Sequence, residues 1–163
     1  MRIRLPFASL LLAATLVAIP ALADTITHKV AMISIDVPDN WKSEKDGDLI
    51  TLTDKHEDVA VAFIVVDSGA VKSPTKAAKR ALKDKIKNLT FKDEEKVDIN
   101  GMEGHAVTGD GTMDGKDMDL AVLVLDTPNE DKDLVIIALA EDAKLAKHMK
   151  EVQHIFKHLK PMK

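Results

Sequence analysis

Three runs of consecutive apolar residues constrain this chain more than anything else in it: Val59 to Val66, Leu120 to Leu125 and Leu134 to Ala140. Each is short, rich in valine, leucine or isoleucine, and at least two are closed off by aspartates and turn residues. A run of that length and composition is a strand covered on both faces. A sheet covered on both sides needs an apolar layer against each side, and two amphipathic helices on opposite faces answer that need. The chain supplies two. Ser73-Pro74 opens the first, with serine suited to the N-cap and proline to the first helical position. Ala78, Ala81, Leu82, Ile86 and Leu89 then recur at steps of three and four, and Lys76, Lys79, Arg80, Lys83 and Lys87 make the opposite face. The second helix is expected from Glu141 to Leu159, with Leu145, Met149, Val152, Phe156 and Leu159 as its stripe.

The remaining segments read as strands and turns. Ala31, Ile33, Ile35 and Val37 alternate with polar residues, the pattern of a half-buried strand. Pro38-Asp39-Asn40 turns the chain before Trp41, a packing residue, and a short strand follows from Asp48 to Thr53. Phe91 to Ile99, Gly104 to Met113 and Lys116 to Leu125 are joined by Asn100-Gly101 and Asp114-Gly115, two tight hairpin signals. Thr127-Pro128-Asn129 turns into the last apolar run. The expected fold class is α+β: an α/β/α sandwich in the order βββαββββα, with a mostly antiparallel sheet of six or seven strands and a helix on each face.

The first 23 residues read as an export signal. Arg2 and Arg4 are their only charges, Leu10 to Ile19 is apolar, Pro20 breaks the helix, and Ala21-Leu22-Ala23 supplies the small residues of a cleavage site. The apolar stretch falls short of the ~20 residues of a spanning helix. Cleavage before Asp24 leaves one expected domain, residues 24–163, without a transmembrane segment, in a bacterial periplasm or outside the cell. The chain has no cysteine, which excludes disulfides, thiol catalysis, Cys-ligated zinc, iron–sulfur clusters and a lipoprotein anchor. It has no tyrosine, one tryptophan and a formal net charge of −4, a poor composition for binding nucleic acid.

The stretch Val37-Pro38-Asp39-Asn40-Trp41 resembles the P-x-x-W opening of the PsbP-like families, which include exported bacterial DcrB-like proteins. The turn Ile99-Asn100-Gly101-Met102-Glu103-Gly104 is similar to their central hairpin, and the order of elements agrees over most of residues 30–159. The resemblance implies a PsbP-like fold and an exported accessory protein. It carries over no binding residue, because no functional motif of the families matches residue by residue.

Charge is segregated along the chain. Residues 93–142 hold 15 acidic and 3 basic residues, whereas residues 143–163 hold 6 basic and 1 acidic. This layout serves solubility and internal complementarity, or it makes a polarised surface for a protein partner. Asp110, Asp114, Asp117 and Asp119 crowd one hairpin. Asp110, Asp114 and Gly115 match positions 1, 5 and 6 of a calcium loop, but Thr112 and Ala121 stand where ligands belong, and a two-residue turn explains Gly115 equally. His154 and His158 are four apart on the last helix, a spacing that can grip one metal, on the face opposite Leu145. Glu103 and His105 share a strand face, as an acid–base pair or a solvated pair would. No phosphate loop, nucleophile elbow or zinc-protease motif occurs, so no catalytic residue and no cofactor is expected. The function expected is that of a non-enzymatic exported accessory or binding protein acting through its surface. The alternatives are a weak divalent-metal binder using the acidic hairpin or the helix histidines, and an enzyme whose site is assembled from dispersed residues.

Overall fold

The computed structural model describes residues 24–71 and 73–163; the expected export signal lies outside the described residues. In chain order the elements are β1 (Asp24–His28), β2 (Ile33–Val37), β3 (Trp41–Asp46), β4 (Leu49–Asp54), β5 (Val59–Asp67), α1 (Pro74–Leu82), β6 (Lys87–Phe91), β7 (Glu95–Ile99), β8 (Met102–Met113), β9 (Lys116–Asp126), β10 (Lys132–Glu141), α2 (Lys144–Lys157) and β11 (Lys160–Pro161). The three apolar runs become β5, β10 and β9, adjacent in an eight-stranded sheet of order β3-β4-β5-β10-β9-β8-β6, in which β7 also pairs with β8. The pairings are antiparallel.

Side-chain alternation splits each central strand between two apolar layers. Val59, Val61 and Phe63 of β5, Leu134 and Ile136 of β10, and Leu123 and Leu125 of β9 pack with Leu145, Val152 and Ile155 of α2. Val122 and Val124 of β9 and Val135 and Ile137 of β10 point the other way, against Ala77, Ala78 and Leu82 of α1. The chain therefore builds a mostly antiparallel sheet with one helix per face, as its apolar runs require.

Two features depart from the expectation. There are eleven strands in two sheets among the described residues, not six or seven in one. The second sheet, β1-β2-β11, lies on the α2 side, where Ile33, Ile35 and Val37 join the α2 layer. The extra strands carry little apolar signal. The edge strand β3 reads WKSEKD and buries only Trp41, while β1 and β11 are mostly polar. Charged edges of this kind discourage pairing with another chain. Strand β6 was hidden for another reason: Ile86 and Leu89 continue the step of the first helix. The helix nevertheless stops at Leu82, and Asn88 takes a left-handed conformation at φ 53° as the chain re-enters the sheet.

The stripe of α2 is also rotated from the expected one. Met149 is 38% exposed, whereas Ile155 is fully buried. His148 then falls between Leu145 and Val152 on the inward side, at steps of three and four.

The start of α1 behaves as its sequence suggests. The Ser73 hydroxyl oxygen accepts from the Lys76 N–H, and the hydroxyl itself donates to the Glu94 carboxylate. Ser73→Ala should cost about 1 kcal/mol, the usual worth of an N-cap, measured as a shift in the urea midpoint. The Ser73 hydroxyl holds the Glu94 carboxyl below the ordinary glutamate range. A depressed carboxyl stabilises the fold above its unfolded pKa and ceases to do so as pH falls through its folded value. The Ser73→Ala penalty should therefore shrink in acid.

Candidate functional site

At one end of the large sheet, on the α1 side, lies an open groove of about 690 Å³. Its floor is made by β7, β8, β9 and β10, and the loop through Ser68, Gly69 and Val71 forms a wall. Strand register decides which side chains meet there. Asp98 on β7 is opposite Glu103 on β8, and Asp126 on β9 is opposite Asp133 on β10. Glu103 comes one position beyond the Gly104–Leu125 pair, which sets it beside Asp126. Four carboxylates thus form one row across four neighbouring strands, roughly 14 Å long at the usual strand spacing. The next row holds Lys96 opposite His105 and His105 opposite Val124.

Like charges directly opposite across strands are destabilising by up to about 1 kcal/mol per pair. A row of four acids is a standing cost to the sheet. Two of the four have an evident structural use: Asp133 is 7% exposed and its Oδ2 accepts the Gly69 N–H at 2.8 Å, fastening the wall loop, and Asp98 Oδ1 accepts the Gly101 N–H at 2.9 Å in the β7–β8 turn. Asp98, Glu103 and Asp126 are exposed. Of this row, sequence reasoning singled out Glu103 and its neighbour His105 alone. The turn Asn100-Gly101 already implied that Asp98 faces Glu103, whereas the pairing of Asp126 with Asp133 spans a longer loop and left no local sign.

The acidic hairpin is arranged differently. Asp110 and Asp119 are directly opposite, Asp117 is opposite Thr112, and Asp114 sits in the turn at φ 52°. Asp110 Oδ1 accepts from Thr90 Oγ1 at 2.8 Å. Asp110, Asp117 and Asp119 project on the α2 side of the sheet, away from the groove, by strand alternation. His154 and His158 stack with ring centroids 4.0 Å apart, and His158 Nδ1 lies 2.8 Å from the His154 carbonyl oxygen, to which an N–H there donates.

A cluster that the sequence did not announce stands where α2 begins. Among the described residues, Asp54, Asp58 and His148 form the one group of three or more ligand-type side chains whose donor atoms converge, all within 4.8 Å of one another. Asp54 ends β4 and is 2% exposed. Its Oδ1 accepts the Val59 N–H at 2.7 Å and its Oδ2 the His56 N–H at 2.9 Å. Burial pushes the Asp54 carboxyl up, but these backbone donors outweigh it and hold it below the ordinary range. The Lys144 ammonium holds the Asp58 carboxyl low by a hydrogen bond. Asp58 Oδ2 is 3.7 Å from His148 Nε2, and His148 Nδ1 is 2.6 Å from Glu151 Oε2. The Glu151 carboxylate raises the His148 pKa, against the opposing effect of burial.

No family model and no curated protein matches the sequence. Solved structures do match the fold. LpqN of Mycobacterium tuberculosis, involved in cell envelope biogenesis, aligns at TM-score 0.60 and 17% identity over 78% of this chain and 82% of its own. Cyanobacterial PsbP of Synechocystis aligns at 0.58 and 10% identity over 87% and 94%. The Ran-binding protein Mog1p of Saccharomyces cerevisiae aligns at 0.57 and 10% identity over 84% and 94%. A protein of Bacteroides thetaiotaomicron aligns at 0.59 and 14% identity over 87% of this chain, which spans only 49% of that longer one. At these identities the likeness establishes the fold: it is PsbP-like.

Proposed function

We propose that this chain is an exported, non-enzymatic accessory protein that binds a protein partner, and that the acidic groove is its contact. The observation that carries the reading is the carboxylate row Asp98–Glu103–Asp126–Asp133, three of whose members are exposed and two of which, Glu103 and Asp126, do nothing evident for the fold. A lysine- or arginine-bearing segment laid across β7 to β10 would relieve the repulsion along the row. Charge complementarity of that kind speeds encounter and fixes register. The fold supports a binding role by analogy, since a Ran-binding protein shares it. Envelope placement draws on the signal-like N-terminus and on the likeness to LpqN. A catalytic reading is less well served. Groups meant to trade protons at a reacting centre are held in an enclosed, water-poor site, and this groove is open.

Photo-crosslinking in cells tests the proposal. A crosslinker replaces Lys96 in the groove or Lys45 on the β3 edge. The expected result is a discrete adduct at position 96, absent at 45, that fades with salt and disappears in the triple variant Asp98→Asn, Glu103→Gln, Asp126→Asn. That variant should melt no lower than the parent, because neutralisation removes cross-strand repulsion and the amide of Asp98→Asn keeps an oxygen to accept the Gly101 N–H. Adducts that survive neutralisation, or that form equally at both positions, would dismiss the groove as the contact.

A further inference from the structure

We infer that Asp54, Asp58 and His148 form a binding site for a divalent transition ion of the zinc type, on the α2 side of the sheet and separate from the acidic groove. The three side chains come from the end of β4, the turn before β5 and the second turn of α2, so only the folded chain brings them together. Four-coordinate ions of this class hold nitrogen and oxygen ligands at about 2.0–2.2 Å, which sets ligand atoms about 3.3–3.6 Å apart. His148 Nε2 and Asp58 Oδ2, at 3.7 Å, are already near that spacing.

The surroundings are those of a ligating histidine. A carboxylate on the far ring nitrogen fixes the tautomer and presents the other nitrogen to an ion. Glu151 Oε2 does this at 2.6 Å from Nδ1, leaving Nε2 on the side of Asp58. Asp54 is equally pre-set. Backbone N–H groups orient its carboxylate, one on each oxygen from Val59 and His56. Lys144 engages Asp58 through Oδ1, leaving Oδ2 as the oxygen nearer His148. Counting Asp54, Asp58, Glu151 and Lys144, the group carries excess negative charge that a divalent ion would balance.

A second observation stands apart from the cluster itself. Trp41 is the register partner of Asp54, so the two side chains share a face. Its indole Nε1 is the one buried side-chain polar atom without a hydrogen-bond partner among the described residues. A buried donor in that position calls for an acceptor nearby. Two carboxylates and one imidazole leave a fourth position for water, as in open zinc sites. The ligand set is too small and too rich in nitrogen for calcium, which takes six to eight oxygens.

The test uses the full, untagged protein stripped with chelator and titrated with cobalt and then zinc. The expected result is one equivalent bound per chain, a visible cobalt band displaced by zinc, and a change in the emission of Trp41, the only tryptophan. His148→Ala should abolish stoichiometric binding, and Glu151→Gln should weaken it about 10–100-fold. His154→Ala combined with His158→Ala should leave it intact. Thermal melts of each variant without metal show whether the fold is kept; a melted variant is replaced by Asp58→Asn. Binding that survives His148→Ala, or that vanishes only with His154 and His158, would overturn the assignment. So would the absence of any stoichiometric binding. None of these outcomes bears on the groove, which is read out by crosslinking on the opposite face.

Discussion

Phe63→Ala should lower stability by about 3–5 kcal/mol, the usual loss for emptying a phenylalanine site in a tight core. Phe63 is 0% exposed and is the largest of the fully buried side chains. It sits in the middle of β5 with Ile50 on one neighbouring strand and Ile136 on the other, both also 0% exposed. Above it lies the layer made by α2 and the small sheet. A ring removed from there leaves a space that neither flanking strand can close, because each is held by its own ladder. With a urea slope of roughly 2 kcal/mol per molar, the midpoint should fall by about 2 M with little change in slope. Phe63→Leu, which keeps most of the volume, should cost less than about 1.5 kcal/mol. Met149→Ala on the outer side of α2 should stay within about 0.5 kcal/mol. A Phe63→Ala protein that melts within 1 M of the parent would mean that β5 is not the centre of the core.

Phe63 also shows why the centre of the fold was legible in the sequence. A strand with helices on both sides must be apolar at every position, and no other short element makes that demand. The three runs therefore located β5, β9 and β10, and parity along each run divides the two layers: Val122 and Val124 to one side, Leu123 and Leu125 to the other. The periphery lacked such a demand. An edge strand such as β3 needs one buried residue and solvated charges, which is also what a loop shows. The polar site was harder still. Carboxylates in a row are defined by pairing between strands, and sequence distance between Asp98 and Asp133 conceals it. The Asp54–Asp58–His148 cluster depends on where α2 lands on the sheet. Its signal was the inward placement of His148 at steps of three and four from Leu145 and Val152. The expected stripe through Met149 and Phe156 did not include His148.

Gly104→Ala should be the other severe substitution, costing about 3 kcal/mol or more, as forced overpacking against an immovable neighbour does at its upper end. A Cβ on Gly104 would lie 2.0 Å from the Val124 carbonyl oxygen and 2.9 Å from Leu125 Cδ2. The leucine tip can rotate away, but the carbonyl belongs to β9 and cannot move unless β8 and β9 part. Those strands pair from Gly104–Leu125 to Met113–Lys116, and Leu125 itself is 0% exposed. Separation at this end would disturb the ladder and the core together. Gly101 is the control. It occupies the hairpin turn at φ 87° with open space around it, so alanine there meets only backbone strain of about 1–2 kcal/mol. The two glycines thus separate close approach from conformational freedom. Gly104 lies between Glu103 and His105, so the same displacement would break the carboxylate row on the opposite face of the strand. Gly104→Ala should lose the Lys96 crosslink as well as stability, whereas Gly101→Ala should lose stability alone. Equal melting temperatures for the parent and Gly104→Ala would show that β8 and β9 do not approach this closely, and the row with its groove would have to be redrawn.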